Sequence, residues 1–228
     1  HNFSIALLIN NIMQIKCSWI ENRISIETDG YTRPCCGEIS ELAKIADINN
    51  GIIKAFNDSK LLSLRNELFT NGYSTPTDYA CRRCKEVENY SHQSLRTNTL
   101  YLSDNRELKG IQFKLSNKCQ LACAHCGPTL STEWAKIMKI KPHVTSVDFN
   151  DELLDELVRI LPNLTELKFT GGEPFLDPTH YKILEVLKNE KKNHCNLIYI
   201  TNGLIKPRLE LWEGYKSVTC NVSVDGFE

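Results

Sequence analysis

The sequence predicts an α/β protein: an incomplete parallel β/α barrel with four of its strands within these 228 residues, preceded by a small cysteine-rich α+β domain. Two observations predict it. From Gly110 onward, short apolar runs alternate with amphipathic segments of helical period, the pattern of crossover helices between parallel strands. Before that point, residues 13–90 hold five of the chain's ten cysteines.

Met13 stands directly before the first organised pattern, so residues 1–12 are expected to be a non-native upstream segment, with an internal methionine of a longer chain as the alternative. Residues 13–90 form the predicted cysteine-rich domain. It has a hairpin around Asp29-Gly30 and a helical stretch from Ile52 to Phe69. Residues 91–109 carry no firm periodicity and read as a linker.

In residues 110–228, Ile111–Leu115 is a strand, followed by a cysteine-rich loop and a helix over about Leu130–Met138. Asp151–Leu161 is an amphipathic helix. Its Leu153, Leu154, Leu157, Val158 and Leu161 share one face, and Asp151 and Glu152 sit where the macrodipole favours acids. Leu164–Thr170, Asn196–Thr201 and Val218–Val224 are the further strands, with helices over Thr179–Lys191 and Pro207–Tyr215. Cys195 and Cys220 fall inside apolar strands and read as buried core residues. The sequence stops just after the fourth strand, where a parallel sheet would expose a long apolar edge, so a truncated C-terminus is expected.

Composition narrows the function. A formal net charge of -1 with interleaved signs does not build a surface for polyanions, so nucleic acid is not expected as a partner. The apolar run Phe3–Ile9 is too short to span a bilayer and lacks the flanks of a signal peptide, so no membrane association is expected. Ten cysteines without an export signal belong in a reducing compartment, the cytoplasm, where thiols serve as metal ligands more often than as disulfides.

Cys119-x3-Cys123-x2-Cys126 follows the first barrel strand, so three thiolates can converge on one small volume. Three ligands on a 4Fe-4S cubane leave one iron open. A zinc site remains open on spacing alone, with His125 as a fourth donor. The strand ending at Thr170 runs into Gly171-Gly172-Glu173-Pro174, which is also an ordinary loop after a strand. Thr201-Asn202-Gly203 and Ser223-Val224-Asp225-Gly226 end the next two strands, where open β/α sheets present ligand groups, although Asn-Gly and Asp-Gly also make hairpins.

With Cys119, Cys123 and Cys126 and the Gly-Gly-Glu-Pro of residues 171–174 in this order, residues 110–228 resemble the radical S-adenosylmethionine (radical SAM) superfamily. The resemblance implies a partial (β/α)6 barrel and a 4Fe-4S cluster on the three cysteines. It implies reductive cleavage of S-adenosylmethionine to a 5'-deoxyadenosyl radical, with an external electron donor such as ferredoxin or flavodoxin. It assigns Gly171, Gly172, Glu173 and Pro174 to the edge that lines up the methionine amino group, where glycines allow close approach and a carboxylate suits an ammonium. It places Asn202, Ser223 and Asp225 against the cofactor, and His125 where an aromatic ring packs on adenine. The upstream Cys17, Cys35, Cys81 and Cys84 resemble SPASM and twitch extensions, which hold auxiliary clusters. They would carry a second 4Fe-4S cluster, with Cys36 as a spare ligand and zinc as the alternative metal. In the family such extensions usually follow the barrel, whereas here the segment precedes it. They are frequent in peptide-modifying relatives, which points to a peptide or protein substrate. The alternative from another class is a non-catalytic module holding zinc or an electron-transfer cluster.

Overall fold

The computed structural model describes residues 17–37, 43–71, 81–91, 93–99, 102–140 and 146–224. Residues 1–12, Met13 and Asp225 lie outside that set.

A short helix α1 (Ser18–Asn22) runs directly into β1 (Arg23–Ile26), which turns back through Gly30 into β2 (Thr32–Arg33). Gly30 has φ +79°, the left-handed conformation the expected hairpin requires, and Ile26 pairs antiparallel with Thr32. The helical stretch after it is two helices, α2 (Ile52–Phe56) and α3 (Ser59–Asn71). Asn57 stops the first, and the Asp58 carboxylate accepts from the Lys60 N–H at the start of the second. The helices α4 (Arg82–Glu88) and α5 (Leu95–Asn98) complete the segment, the latter capped by Ser94 inside the expected linker.

Then come β3 (Gly110–Lys114), α6 (Thr132–Ile137), α7 (Asp151–Ile160), β4 (Glu166–Thr170), α8 (Pro178–Leu187), β5 (Asn196–Thr201) and β6 (Ser217–Val222). Ser131, Asn150 and Asp177 cap α6, α7 and α8 through their side chains. The stretch expected as a helix from Pro207 to Tyr215 holds only a 3-10 turn at Leu209–Leu211.

All six strands form one sheet in the order β2-β1-β3-β4-β5-β6. The four expected barrel strands are parallel neighbours, and β1 adds a fifth parallel strand by pairing Ile24 with Ile111 and Ile26 with Phe113. The sheet is therefore larger than the sequence predicts, because the cysteine-rich segment extends it. A strand of four residues between a helix and a turn shows little period of its own; its Ile24 and Ile26 are fully buried only because β3 lies beside them.

One face of the sheet is apolar. A cross-strand row of Ile26, Phe113, Phe169 and Tyr199 packs against α7, α8 and the Trp212 segment. The rings of Phe113 and Phe169 stack with centroids 4.9 Å apart, and those of Phe169 and Tyr199 at 5.7 Å. Cys220 continues this row on β6 but is exposed, against expectation, because none of the described helices covers β6. Cys195 is buried as expected, and burial pushes its thiol up to about 12.

Beneath this ladder His180 is buried with its Nε2 2.9 Å from the Tyr199 hydroxyl, which also accepts from Trp212 Nε1 at 3.2 Å. The indole can only donate, so the hydroxyl accepts that bond, and the buried imidazole is neutral. Burial lowers its pKa from 6.5 to about 3. The unfolded chain thus binds a proton that the folded chain refuses. His180 leaves stability intact above about pH 6.5 and withdraws it as pH falls toward 3, by up to about 1.4 kcal/mol per pH unit. Urea midpoints measured from about pH 4 to 7 are expected to rise with pH, and His180→Gln to flatten that slope.

The opposite face is polar, with Arg23 and Ser25 on β1 and Glu27 just after it, Gln112 and Lys114 on β3, and Glu166 and Lys168 on β4. The ion pairs Arg23–Glu166 (3.2 Å) and Lys114–Glu27 (2.9 Å) cross between strands. Arg23 reaches β4 by crossing over Gly110, where an added Cβ would lie 3.0 Å from the arginine Cγ.

Candidate active site

The loop after β3 carries Cys119, Cys123 and Cys126, all half-buried, and it is held by α6. Thr132 Oγ1 accepts from the Cys119 N–H at 3.3 Å and donates to the Cys119 carbonyl at 3.0 Å. Trp134 Nε1 donates to the Cys123 carbonyl at 2.8 Å, and the Cys126 N–H donates to the same carbonyl oxygen at 3.0 Å. Ser131 donates to the Leu121 carbonyl at 2.5 Å while capping the helix. The capping residues that start α6 thus also clamp the cysteine loop. Sequence reading did not single out Ser131, Thr132 or Trp134, although Ser-Thr before a helical run is an N-cap signature.

The Gly171–Pro174 edge after β4 lies directly on this loop. Gly172 N–H donates to the Ser116 carbonyl at 2.9 Å and Glu173 N–H to the Lys118 carbonyl at 2.7 Å. Gly171 has φ +114°, and a Cβ there would sit 2.9 Å from Ser116 O. At Gly172 a Cβ would lie 2.1 Å from Lys118 O. Both positions require glycine because the chain's own backbone, one to three residues before Cys119, occupies the space.

Glu173 is 1% exposed. Its carboxylate accepts from Thr201 Oγ1 at 2.8 Å, the Asn202 N–H at 2.8 Å and the Phe175 N–H at 3.1 Å. It therefore ties the end of β4 to the end of β5 and starts the 3-10 turn that begins at Pro174. Asn202 follows β5, where its Oδ1 accepts from Gln120 Nε2 at 3.2 Å and its Nδ2 lies 3.8 Å from Cys119 Sγ. Asn202 is thereby brought to the first cysteine, and Gln120 and Thr201 join a site that motif reading did not assign to them. His125 is exposed between Cys123 and Cys126, and Ser223 is exposed just past β6 with its N–H donating to the Thr201 carbonyl at 2.9 Å. The cysteine loop, the glycine edge and Asn202 thus gather at the C-terminal edge of the parallel strands, where such sheets bind ligands.

The upstream cysteines also meet. Cys17, Cys35, Cys81 and Cys84 line one cavity with Trp19, Ile20, Leu68, Leu95 and Arg96. Burial pushes the thiols of Cys17 and Cys35 up, against a smaller opposing pull on Cys17 from Arg96. Cys36 lies outside this group, on a neighbouring cavity of about 380 Å³ shared with Cys35 and Cys84. Among the described residues no three Cys, His, Asp or Glu side chains are gathered round a point as ligands of a single ion. Cys17 precedes α1 and β1, and Cys35 follows β2 back toward the edge where β1 and β3 begin.

A mostly parallel β/α sheet with a thiol-bearing loop and a glycine edge locked together at its C-terminal rim defines a cofactor-binding enzyme core. The chain belongs to the radical SAM superfamily, whose sequence model matches residues 113–228. Membership makes it an enzyme and implies a 4Fe-4S cluster and S-adenosylmethionine. Among curated proteins it is similar to the radical SAM cyclopropyl synthase TigE of Paramaledivibacter caminithermalis, 24% identical over 163 residues, covering 67% of this chain and 33% of that protein. It is 33% identical over 95 residues to the GTP 3',8-cyclase of Streptomyces coelicolor, covering 41% of this chain and 26% of that one. It is 32% identical over 117 residues to the antilisterial bacteriocin subtilosin biosynthesis protein AlbA of Bacillus subtilis, covering 50% and 23%. The chain thus spans about a quarter to a third of the length of these relatives. No solved structure matches.

The donor set fits the implied groups: three half-buried thiols on one clamped loop, with an amide and a glycine edge beside them. None of the described helices is long and apolar enough to cross a membrane.

Proposed function

We propose that the full protein cleaves S-adenosylmethionine reductively at a 4Fe-4S cluster held by Cys119, Cys123 and Cys126, and uses the radical to modify a peptide or protein. Bound there, the cluster and its cosubstrate supply a 5'-deoxyadenosyl radical that abstracts hydrogen. The chain's own part is positioning. Thr132 and Trp134 fix the cysteine loop, Gly171–Pro174 and Asn202 border the cosubstrate, and His125, Ser223 and Asp225 are the further groups the family resemblance assigns to it.

In this reading a second 4Fe-4S cluster is held by Cys17, Cys35, Cys81 and Cys84, with Cys36 left as a spare thiol. The observation that carries it is that these four residues, spread over 68 positions of sequence, line one cavity among apolar side chains. Four thiols saturate a cubane, so this cluster would have no iron open to substrate. The peptide substrate draws on the likeness to a bacteriocin biosynthesis protein and on the resemblance of the cysteine segment to extensions of peptide-modifying enzymes. A low-potential carrier such as ferredoxin or flavodoxin would donate the electron, in the cytoplasm.

Anaerobic reconstitution tests the two-cluster reading. About eight irons and eight sulfides per chain are expected, falling to about four of each in Cys84→Ala. About four in the unaltered protein would remove the auxiliary cluster, and a colourless protein with stoichiometric zinc would replace both clusters by the metal-binding alternative.

A further inference from the structure

On the polar face of the sheet the charged groups are matched with one exception. Arg23 is held by Glu166 and Lys114 by Glu27. Ser25 bridges Glu27 and Gln112, accepting from Gln112 Nε2 at 3.0 Å and donating to Glu27 Oε1 at 2.7 Å. Both carboxylates of the face are thereby taken. Lys168 is half-buried with no ion pair among the described residues, its ammonium 5.6 Å from the Trp19 ring centroid. Among these described residues of the face, three cations stand against two carboxylates, and Lys168 is the one without an ion pair.

The position of that charge matters. Lys168 pairs with Gln112 across the sheet, and the next row toward the strand ends is Lys114 and Thr170. That row meets the glycine edge, since a Cβ on Gly171 would lie 3.3 Å from Lys114 Cα. Lys168 therefore stands about 7 Å, one same-face step, below the edge that borders the cosubstrate. On its other side is Trp19, whose ring also walls the four-cysteine cavity. The thiol of Cys36 lies in the field of Lys168 and Lys114, which places the spare cysteine near this surface as well. Toward β5 the same face continues in the half-exposed, apolar Ile198 and Ile200. A cation beside apolar surface, between two cofactor sites, suits a ligand with a carboxylate next to an aliphatic portion.

We propose that Lys168 binds a carboxylate of the substrate, holding it on the inner face of the sheet between the Cys119 loop and the Trp19 side of the four-cysteine cavity. This rests on the reading of the Cys119 loop as the radical-generating site, and it adds acidity to the substrate class. Lys168 is a specificity-determining residue, and the carboxylate would come from an acidic side chain of a peptide or from a free acid.

The test is calorimetric binding of four probes to the reconstituted protein at low salt: N-acetyl-aspartate, end-blocked Ala-Asp-Ala, and the asparagine counterpart of each. The acids are expected to bind at least about tenfold more tightly than their amides. Lys168→Gln should erase that preference, Lys168→Arg should keep it, and added salt should weaken it. Binding of N-acetyl-aspartate that depends on Lys168, without binding of Ala-Asp-Ala, upholds the carboxylate site and removes the peptide substrate instead. Equal binding of acids and amides, a preference that survives Lys168→Gln, or no binding of either acid overturns the proposal. Unchanged circular dichroism of both variants establishes that they are folded.

Discussion

Gly172→Ala is expected to abolish iron incorporation at the Cys119 loop and, with it, 5'-deoxyadenosine production. The added methyl would meet Lys118 O at 2.1 Å, Lys118 C at 2.7 Å and Asn117 C at 2.8 Å. These are backbone atoms, so no side chain can swing aside. Relief requires the two loops to part, which breaks the bonds from Gly172 N–H to Ser116 O and from Glu173 N–H to Lys118 O. It also pulls on the buried Glu173 carboxylate, which would leave the Thr201 hydroxyl and the Asn202 N–H unpaired at about 1–3 kcal/mol each. Cys119 is one residue beyond the clash, so the cysteine loop is displaced before the sheet unfolds. Iron content and product formation are the measurements, with far-ultraviolet circular dichroism reporting that the sheet persists. A variant with full iron and normal product would show that the loops can separate without cost.

Cys123→Ala is expected to eliminate 5'-deoxyadenosine formation from S-adenosylmethionine under reductant, with loss of about four irons per chain. Removing one of three ligands would leave two irons of the cubane without a thiolate. Cys195→Ala and Cys220→Ala are the controls. Cys195 is buried in the core, where its loss costs packing but not product, and Cys220 lies exposed on β6. Retention of product by Cys123→Ala would contradict the assignment of the cluster.

Much of the sheet was legible in advance because its signals are local. The apolar runs that became β3, β4 and β5 and the helix over residues 151–160 carry their periodicity within ten residues, and Asn150 caps the start of that helix through its side chain. The contribution of β1 was not legible, because four residues between a helix and a turn acquire their pairing only from β3, more than eighty residues later. The helix expected over Pro207–Tyr215 reduces to one 3-10 turn. There Trp212 packs on Phe175 and Tyr199, and its indole is drawn to the Tyr199 hydroxyl. Tertiary contact outweighed helical period at that point.

The site divides in the same way. Cysteine spacing and the Gly-Gly-Glu-Pro tetrapeptide are properties of contiguous sequence, so the thiol loop, the glycine edge and the family they indicate follow from the chain read as letters. The sequence also named Asn202, but its approach to Cys119 comes from β5 lying two strands from β3. Only the folded chain shows that Gly171 and Gly172 press on the backbone of residues 116–118 and that Glu173 turns inward to Thr201 and Asn202. The same holds for Arg23 crossing Gly110 to Glu166, and for Lys168 being left without a carboxylate. The physical reason is range: thiol ligation motifs, caps and periodicity act within a turn or a loop, whereas steric exclusion and charge balance depend on which strands become neighbours. The kind of chemistry was therefore written locally, and the surroundings of Lys168 on the polar face were decided by the register of β1, β3 and β4.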